Sequence, residues 1–206
     1  MPLFDVGTTK GCCFVAYDGR AGERYRFSDG TVWRVLYHKA NKLSGFKAVF
    51  LQPESGNNPG VLSFAGTDSL TDVVVDLRQV GGGLPMQYIQ ALTLARQMRL
   101  QYGTAIYFAG HSLGGGLAAY SSVTLKNYTF TVNPAPLVGA AIVNPRAFRQ
   151  NSQITNYIAR NEFVSSSPGR NPGKDIVVPS SGGWFGFFTD HMLANVAPAY
   201  PLPVKL

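Results

Sequence analysis

The segment Ile106-Tyr-Phe-Ala runs into Gly110-His111-Ser112-Leu113-Gly114 and then into Gly115-Gly-Leu-Ala-Ala. A β-branched, aromatic run reads as a strand and an Ala/Leu-rich run as a helix, so a serine stands where a strand turns into a helix. So sharp a turn holds the serine in a strained backbone conformation. Small residues two before and two after it keep the adjoining chain from colliding, and Gly110 and Gly114 supply them. The bare Gly-x-Ser-x-Gly pattern arises easily by chance in a chain with 23 glycines. Its placement between strand and helix is what marks a nucleophile elbow, and a chain that carries one must build a sheet around it.

The flanking sequence supplies that sheet. Tyr25 to Phe27, the turn Ser28-Asp29-Gly30 and Thr31 to His38 read as a hairpin, and the first third of the chain reads as strands throughout. Phe46 to Leu51 and Val61 to Phe64 flank a loop rich in Pro, Gly, Asn and Ser, which predicts a second hairpin. From Leu84 to Gln101 apolar residues recur at helical spacing, with Pro85 in the first turn and Gly103 past the end. A strand over 104–108, a helix over 113–125, a strand over 128–132 and a strand over 154–159 follow. The expected fold is an α/β-hydrolase, with a mostly parallel central sheet flanked by helices and an N-terminal antiparallel hairpin region. At 206 residues, with no repeat or break in composition, 1–206 reads as one domain.

Composition narrows the partners. The net charge is +7, but the 18 Lys and Arg are scattered singly and no aromatic stacking motif is interleaved with them. Nucleic acid is therefore not an expected partner, whereas anionic lipid is compatible with that charge. Cys12 and Cys13 are adjacent, a geometry that strains a disulfide, so both are expected to be reduced. Met1 to Gly7 lacks a basic start followed by an apolar stretch, and no apolar run approaches ~18 residues. A soluble chain is expected, exported if at all by a leaderless route.

A serine nucleophile needs a base, and the chain has His38, His111 and His191. His111 adjoins Ser112 and must point away from it, and His38 lies in an early strand. His191 satisfies the chain order serine, acid, histidine. The carboxylates between Ser112 and His191 are Glu162, Asp175 and Asp190. Asp190 is too close in sequence to bond the neighbouring ring well. Glu162 follows the strand pattern Ile154-Thr-Asn-Tyr-Ile-Ala and would stand at its end, so it is favoured over Asp175, which sits beside Lys174 in a loop-like context.

Two stretches resemble a known family. Val61-Leu-Ser-Phe-Ala-Gly-Thr-Asp-Ser-Leu-Thr-Asp-Val-Val-Val-Asp-Leu is similar to the oxyanion segment of class 3 lipases, and Gly110-His-Ser-Leu-Gly-Gly-Gly-Leu-Ala to their elbow. The resemblance runs through Asn133-Pro-Ala-Pro and Arg160-Asn-Glu-Phe-Val-Ser to Asp190-His191, roughly Gly45 to His191. It implies oxyanion donors at Thr67 and at the Leu113 N–H, and it places the acid at Glu162. The family usually has Asp at that acid and Phe-Arg-Gly-Thr where this chain reads Phe64-Ala-Gly-Thr67. The short chain resembles small bacterial class 3-like lipases, antibacterial phospholipase effectors among them, more than the larger fungal enzymes.

The expected reaction is hydrolysis of a lipid or phospholipid ester through an acyl-enzyme on Ser112, with no cofactor. Asp68, Asp72 and Asp76 precede the elbow and read as helix-start charges rather than metal ligands. Gly182-Gly-Trp-Phe-Gly-Phe-Phe188 is a candidate for transient contact with a membrane surface, and Leu137 to Val143 for a lid or acyl wall. The rival readings are a soluble carboxylesterase or thioesterase, a cutinase-like hydrolase, which would lack the Phe-Ala-Gly-Thr segment, and a catalytically silent binding module.

Overall fold

The computed structural model describes residues 4–66, 86–137, 153–160, 169, 171–181 and 191–206. The chain opens with helix α1 (Val6–Asp18), followed by strands β1 (Arg24–Arg26), β2 (Val32–Asn41), β3 (Phe46–Pro53) and β4 (Val61–Phe64). Helix α2 (Met86–Tyr102), β5 (Tyr107–His111), α3 (Leu113–Leu125), β6 (Thr129–Val132), β7 (Ile154–Ala159), β8 (Lys174–Val178) and β9 (Val204–Lys205) complete the described elements.

The strands form one sheet in the order β8-β7-β6-β5-β4-β3-β2-β1-β9. From β4 to β8 every neighbouring pair is parallel. From β4 through β3, β2 and β1 to β9 every pair is antiparallel, so both expected hairpins form. The α/β-hydrolase class read from the sequence is the fold observed.

Alternation along the strands sorts their side chains to two faces. Val61, Tyr107 and Ala109 pack with Cys12, Cys13, Val15 and Ala16 of α1, whereas Leu62, Phe64 and Phe108 pack with Leu94 and Met98 of α2 and Leu117 of α3. Helices therefore cover both faces of the central strands, and the elbow lies at the C-terminal end of β5.

Helix α1 corrects the expectation that the first third is all strand. Its sequence, Val-Gly-Thr-Thr-Lys-Gly-Cys-Cys-Phe-Val-Ala-Tyr-Asp, is poor in strong helix formers. Burial on nearly every side replaces the amphipathic stripe that would have marked it. Asp5 caps the start, its carboxylate accepting from Thr8 N–H at 2.7 Å. Gly11 admits the ring of Phe27, which would lie 2.6 Å from an added Cβ. Cys12 and Cys13 are free and fully buried within it, and burial pushes both thiol pKa values up.

Helix α1 also anchors the C-terminal segment. The buried Lys10 ammonium donates to the carbonyls of Val196 at 2.7 Å and Tyr200 at 2.9 Å. Strand β5 begins three residues later than expected, because Gly103, at φ +88°, ends α2 and Thr104-Ala105 form a turn. Among the described residues no helix is long and apolar enough to cross a membrane.

Candidate active site

Ser112 has φ 57° and ψ −128°, a conformation that non-glycine residues adopt only where their surroundings impose it. The surroundings here are backbone. Its N–H donates to Val132 O at 3.2 Å, and its carbonyl accepts from the N–H groups of Gly115, Gly116 and Ala135. The two elbow glycines are sterically required. A Cβ on Gly110 would collide with the Gly114 carbonyl, and one on Gly114 would collide with Phe64 O and the Ala65 backbone. Gly115 admits Pro134 in the same way, 2.8 Å from an added Cβ, so α3 seats directly on the chain leaving β6.

The Ser112 side chain is buried, and its Oγ has no hydrogen-bond partner among the described residues. It shares a cavity of about 310 Å³ with His191, walled by Phe14 and Tyr17 of α1 and by Leu193 and Leu202 of the C-terminal segment. The cavity thus sets a hydroxyl and an imidazole among mostly apolar walls. Leu113 is the first residue of α3, where backbone N–H groups lack intrahelical acceptors and the helix dipole is positive. On the facing side, a Cβ added to Gly66 would lie 2.9 Å from His111 O and 3.0 Å from Ser112 Cβ. The chain leaving β4 is therefore packed against the elbow one residue before Thr67.

His111 lines the same cavity beside Ser112, with both ring nitrogens engaged by other partners. Its Nδ1 lies 2.7 Å from Tyr17 Oη and its Nε2 2.7 Å from the His191 carbonyl. Burial, reinforced by electrostatic interaction with the neighbouring His191 ring and opposed by the bond to the His191 backbone, pulls its pKa down to about 3, so the ring is neutral. A carbonyl only accepts, so Nε2 carries the proton and Nδ1 accepts the Tyr17 O–H. The His111 and His191 rings stand 4.8 Å apart between centroids. Asn133, at the end of β6 with φ 43°, adds a second donor to the His191 carbonyl at 3.2 Å, while its Oδ1 accepts from Ala159 N–H at 2.8 Å.

The other sequence-derived residues divide clearly. His38 is exposed on β2, away from the elbow. Asp175 is exposed on the edge strand β8, three strands from β5 in the sheet order, or ~14 Å at the usual strand spacing. Its carboxylate accepts from Asn156 Nδ2 at 2.8 Å. Thr67, Glu162, Asp190, the aspartates at 68, 72 and 76, the aromatic segment 182–188 and residues 138–143 lie outside the described residues. Sequence reasoning missed Tyr17, Phe14 and Asn133. The first two sit on the helix it did not find, and Asn133 stood in the Asn133-Pro-Ala-Pro stretch without an assigned role.

Comparison with known proteins agrees with this geometry. Over 131 residues the chain is 31% identical to an extracellular phospholipase A1 of Serratia liquefaciens, covering 60% of this chain and 40% of that protein. The chain thus spans well under half the length of that relative. Its fold resembles a triacylglycerol lipase from Penicillium expansum, with a TM-score of 0.57, 14% identity, and coverage of 96% of this chain and 80% of that one. It also resembles the Lip2 lipase of Yarrowia lipolytica, with a TM-score of 0.51, 17% identity, and coverage of 80% and 70%. Residues 31–166, which run from the first hairpin past β7 and contain the whole elbow, match the phospholipase-like family described as the Tle-like phospholipase domain, and the chain belongs to that family.

Proposed function

We propose that the protein is a serine hydrolase that cleaves the carboxylic esters of phospholipids through an acyl-enzyme on Ser112. The observation that carries this reading is the strained Ser112 backbone, which presents the hydroxyl to an apolar cavity shared with His191. His191 takes the serine proton during attack and returns it to the leaving alcohol. The Leu113 N–H and Thr67 hold the oxyanion. For Thr67 the support is the close fit of Gly66 against Ser112 Cβ.

Glu162 is the acid that orients the His191 ring. Its support is the exit of β7, where Ala159 N–H bonds Asn133 and Asn133 in turn bonds the His191 carbonyl, three residues before Glu162. Asp175 lies three strands away from β5. The substrate class rests on the family match and on the Serratia phospholipase A1. The cavity fits that class, since apolar side chains beside the nucleophile suit an acyl chain. The unit 1–206 acts as one domain on lipid presented at a membrane surface.

Ser112→Ala is expected to abolish release of fatty acid from phospholipid vesicles while the melting temperature stays close to wild type. It should also abolish labelling by an active-site-directed fluorophosphonate. Retained turnover in Ser112→Ala would overturn the assignment. Wild-type protein that accepts the label and, before labelling, cleaves short soluble esters but no phospholipid would overturn the substrate class alone.

A further inference from the structure

We propose that Tyr17 and His111 are positioning residues for the base, with Tyr17 locking the His111 ring so that its Nε2–H holds the main-chain carbonyl of His191. The inference rests on the reading of Ser112 and His191 as nucleophile and base.

Three elements meet at this ring. His111 ends β5 and is covalently one residue from Ser112, so the bond from its Nε2 to His191 O at 2.7 Å joins the strand carrying the nucleophile directly to the segment carrying the base. This bond ties the Ser112-to-His191 spacing to the His111 side chain. That side chain is itself held at its other nitrogen by Tyr17, which comes from α1, 94 residues earlier. Tyr17 Oη would also lie 2.8 Å from a Cβ on Gly66, so the same hydroxyl bears on the chain that leads to Thr67. Burial alone would not orient a flat ring with two similar nitrogens. A donor on one side and an acceptor on the other permit one tautomer and one ring orientation. Asn133 supports the same carbonyl from β6, but at the longer distance of 3.2 Å.

Isosteres separate positioning from simple packing. The amide nitrogen of glutamine reaches the place of the histidine Nε2, whereas that of asparagine reaches the place of Nδ1. His111→Gln keeps a donor toward His191 O that needs no help from Tyr17, and His111→Asn loses it. In phospholipid hydrolysis, Tyr17→Phe is expected to lower kcat about tenfold with KM within about twofold, since small misplacements of reacting groups act on the chemical step. His111→Asn should fall at least about tenfold below His111→Gln in kcat. Adding Tyr17→Phe to His111→Gln should cost less than about twofold, because the two act through one bond.

The effect is overturned if Tyr17→Phe leaves kcat unchanged, if it changes KM instead, or if it costs as much with Gln at 111 as with His. Melting temperatures identify any variant that fails to fold. Should His111→Asn be such a variant, Tyr17→Phe in the two backgrounds decides alone. Ser112→Ala measured alongside separates the two levels. If it keeps activity, the site reading falls and the positioning role with it. If it is inactive while Tyr17→Phe matches wild type, only the positioning role falls.

Discussion

At the scale of single residues, burial holds the His111 ring neutral beside the nucleophile. His111 shows the consequence for stability. Its pKa is drawn from the ordinary 6.5 down to about 3, first by burial and then by electrostatic interaction with the neighbouring His191 ring. Between those values the unfolded chain binds a proton that the folded chain refuses. Stability from this group is therefore complete above pH ~6.5 and is lost as the pH falls toward ~3. The melting temperature should be nearly level above pH ~7 and decline below pH ~6, where most carboxylates have not yet begun to protonate. His111→Gln should flatten the upper part of that decline, between about pH 5 and 6.5. Melting curves of the two proteins across this range check the sign, and parallel slopes would count against it.

At the scale of elements, what was legible in the sequence depended on whether the information was local. The α3 helix over 113–125 and the hairpins were readable because each has its own periodicity and turn residues. The elbow was readable because its whole pattern lies within five residues, although only Gly110 meets its steric partner there and Gly114 meets β4. Helix α1 was not, since a helix buried nearly all round has no polar face to alternate with. With it went Tyr17 and Phe14, whose contacts with the site depend on packing between distant parts of the chain. The choice between Glu162 and Asp175 was open for the same reason: chain order admits both, and only strand order puts Asp175 on the edge. The elbow glycines yield an element-scale prediction. A methyl group at Gly114 meets the backbone of β4 at Phe64 and Ala65, which cannot turn aside as a flexible side chain would. Gly114→Ala is expected to force α3 away from β4 and to destabilise by about 3 kcal/mol, the upper range for overpacking. Urea denaturation measures this, and a loss under about 1 kcal/mol would mean that the joint yields more easily than its backbone contacts imply.

At the scale of the whole molecule, the net charge of +7 is the property that the fold leaves unexplained, since a hydrolytic site needs no such excess. A lipid-cleaving enzyme must reach its substrate at a surface, and near an anionic bilayer each Lys or Arg contributes about 1 kcal/mol. Only those within a Debye length of the lipid contribute, and that length is ~8 Å near physiological ionic strength. Attraction of this kind raises the bound fraction without altering chemistry at Ser112. Hydrolysis should therefore be faster on vesicles containing an anionic phospholipid than on purely zwitterionic ones. Added salt should erase the difference, while turnover of a short monomeric ester stays level. Replacing Trp184 and Phe185 with Ser tests the apolar part of the same contact: a surface role predicts weaker vesicle hydrolysis with the soluble ester spared. Equal loss on both substrates would assign those rings to the interior, and equal rates on the two kinds of vesicle would show that the excess charge serves something other than lipid capture.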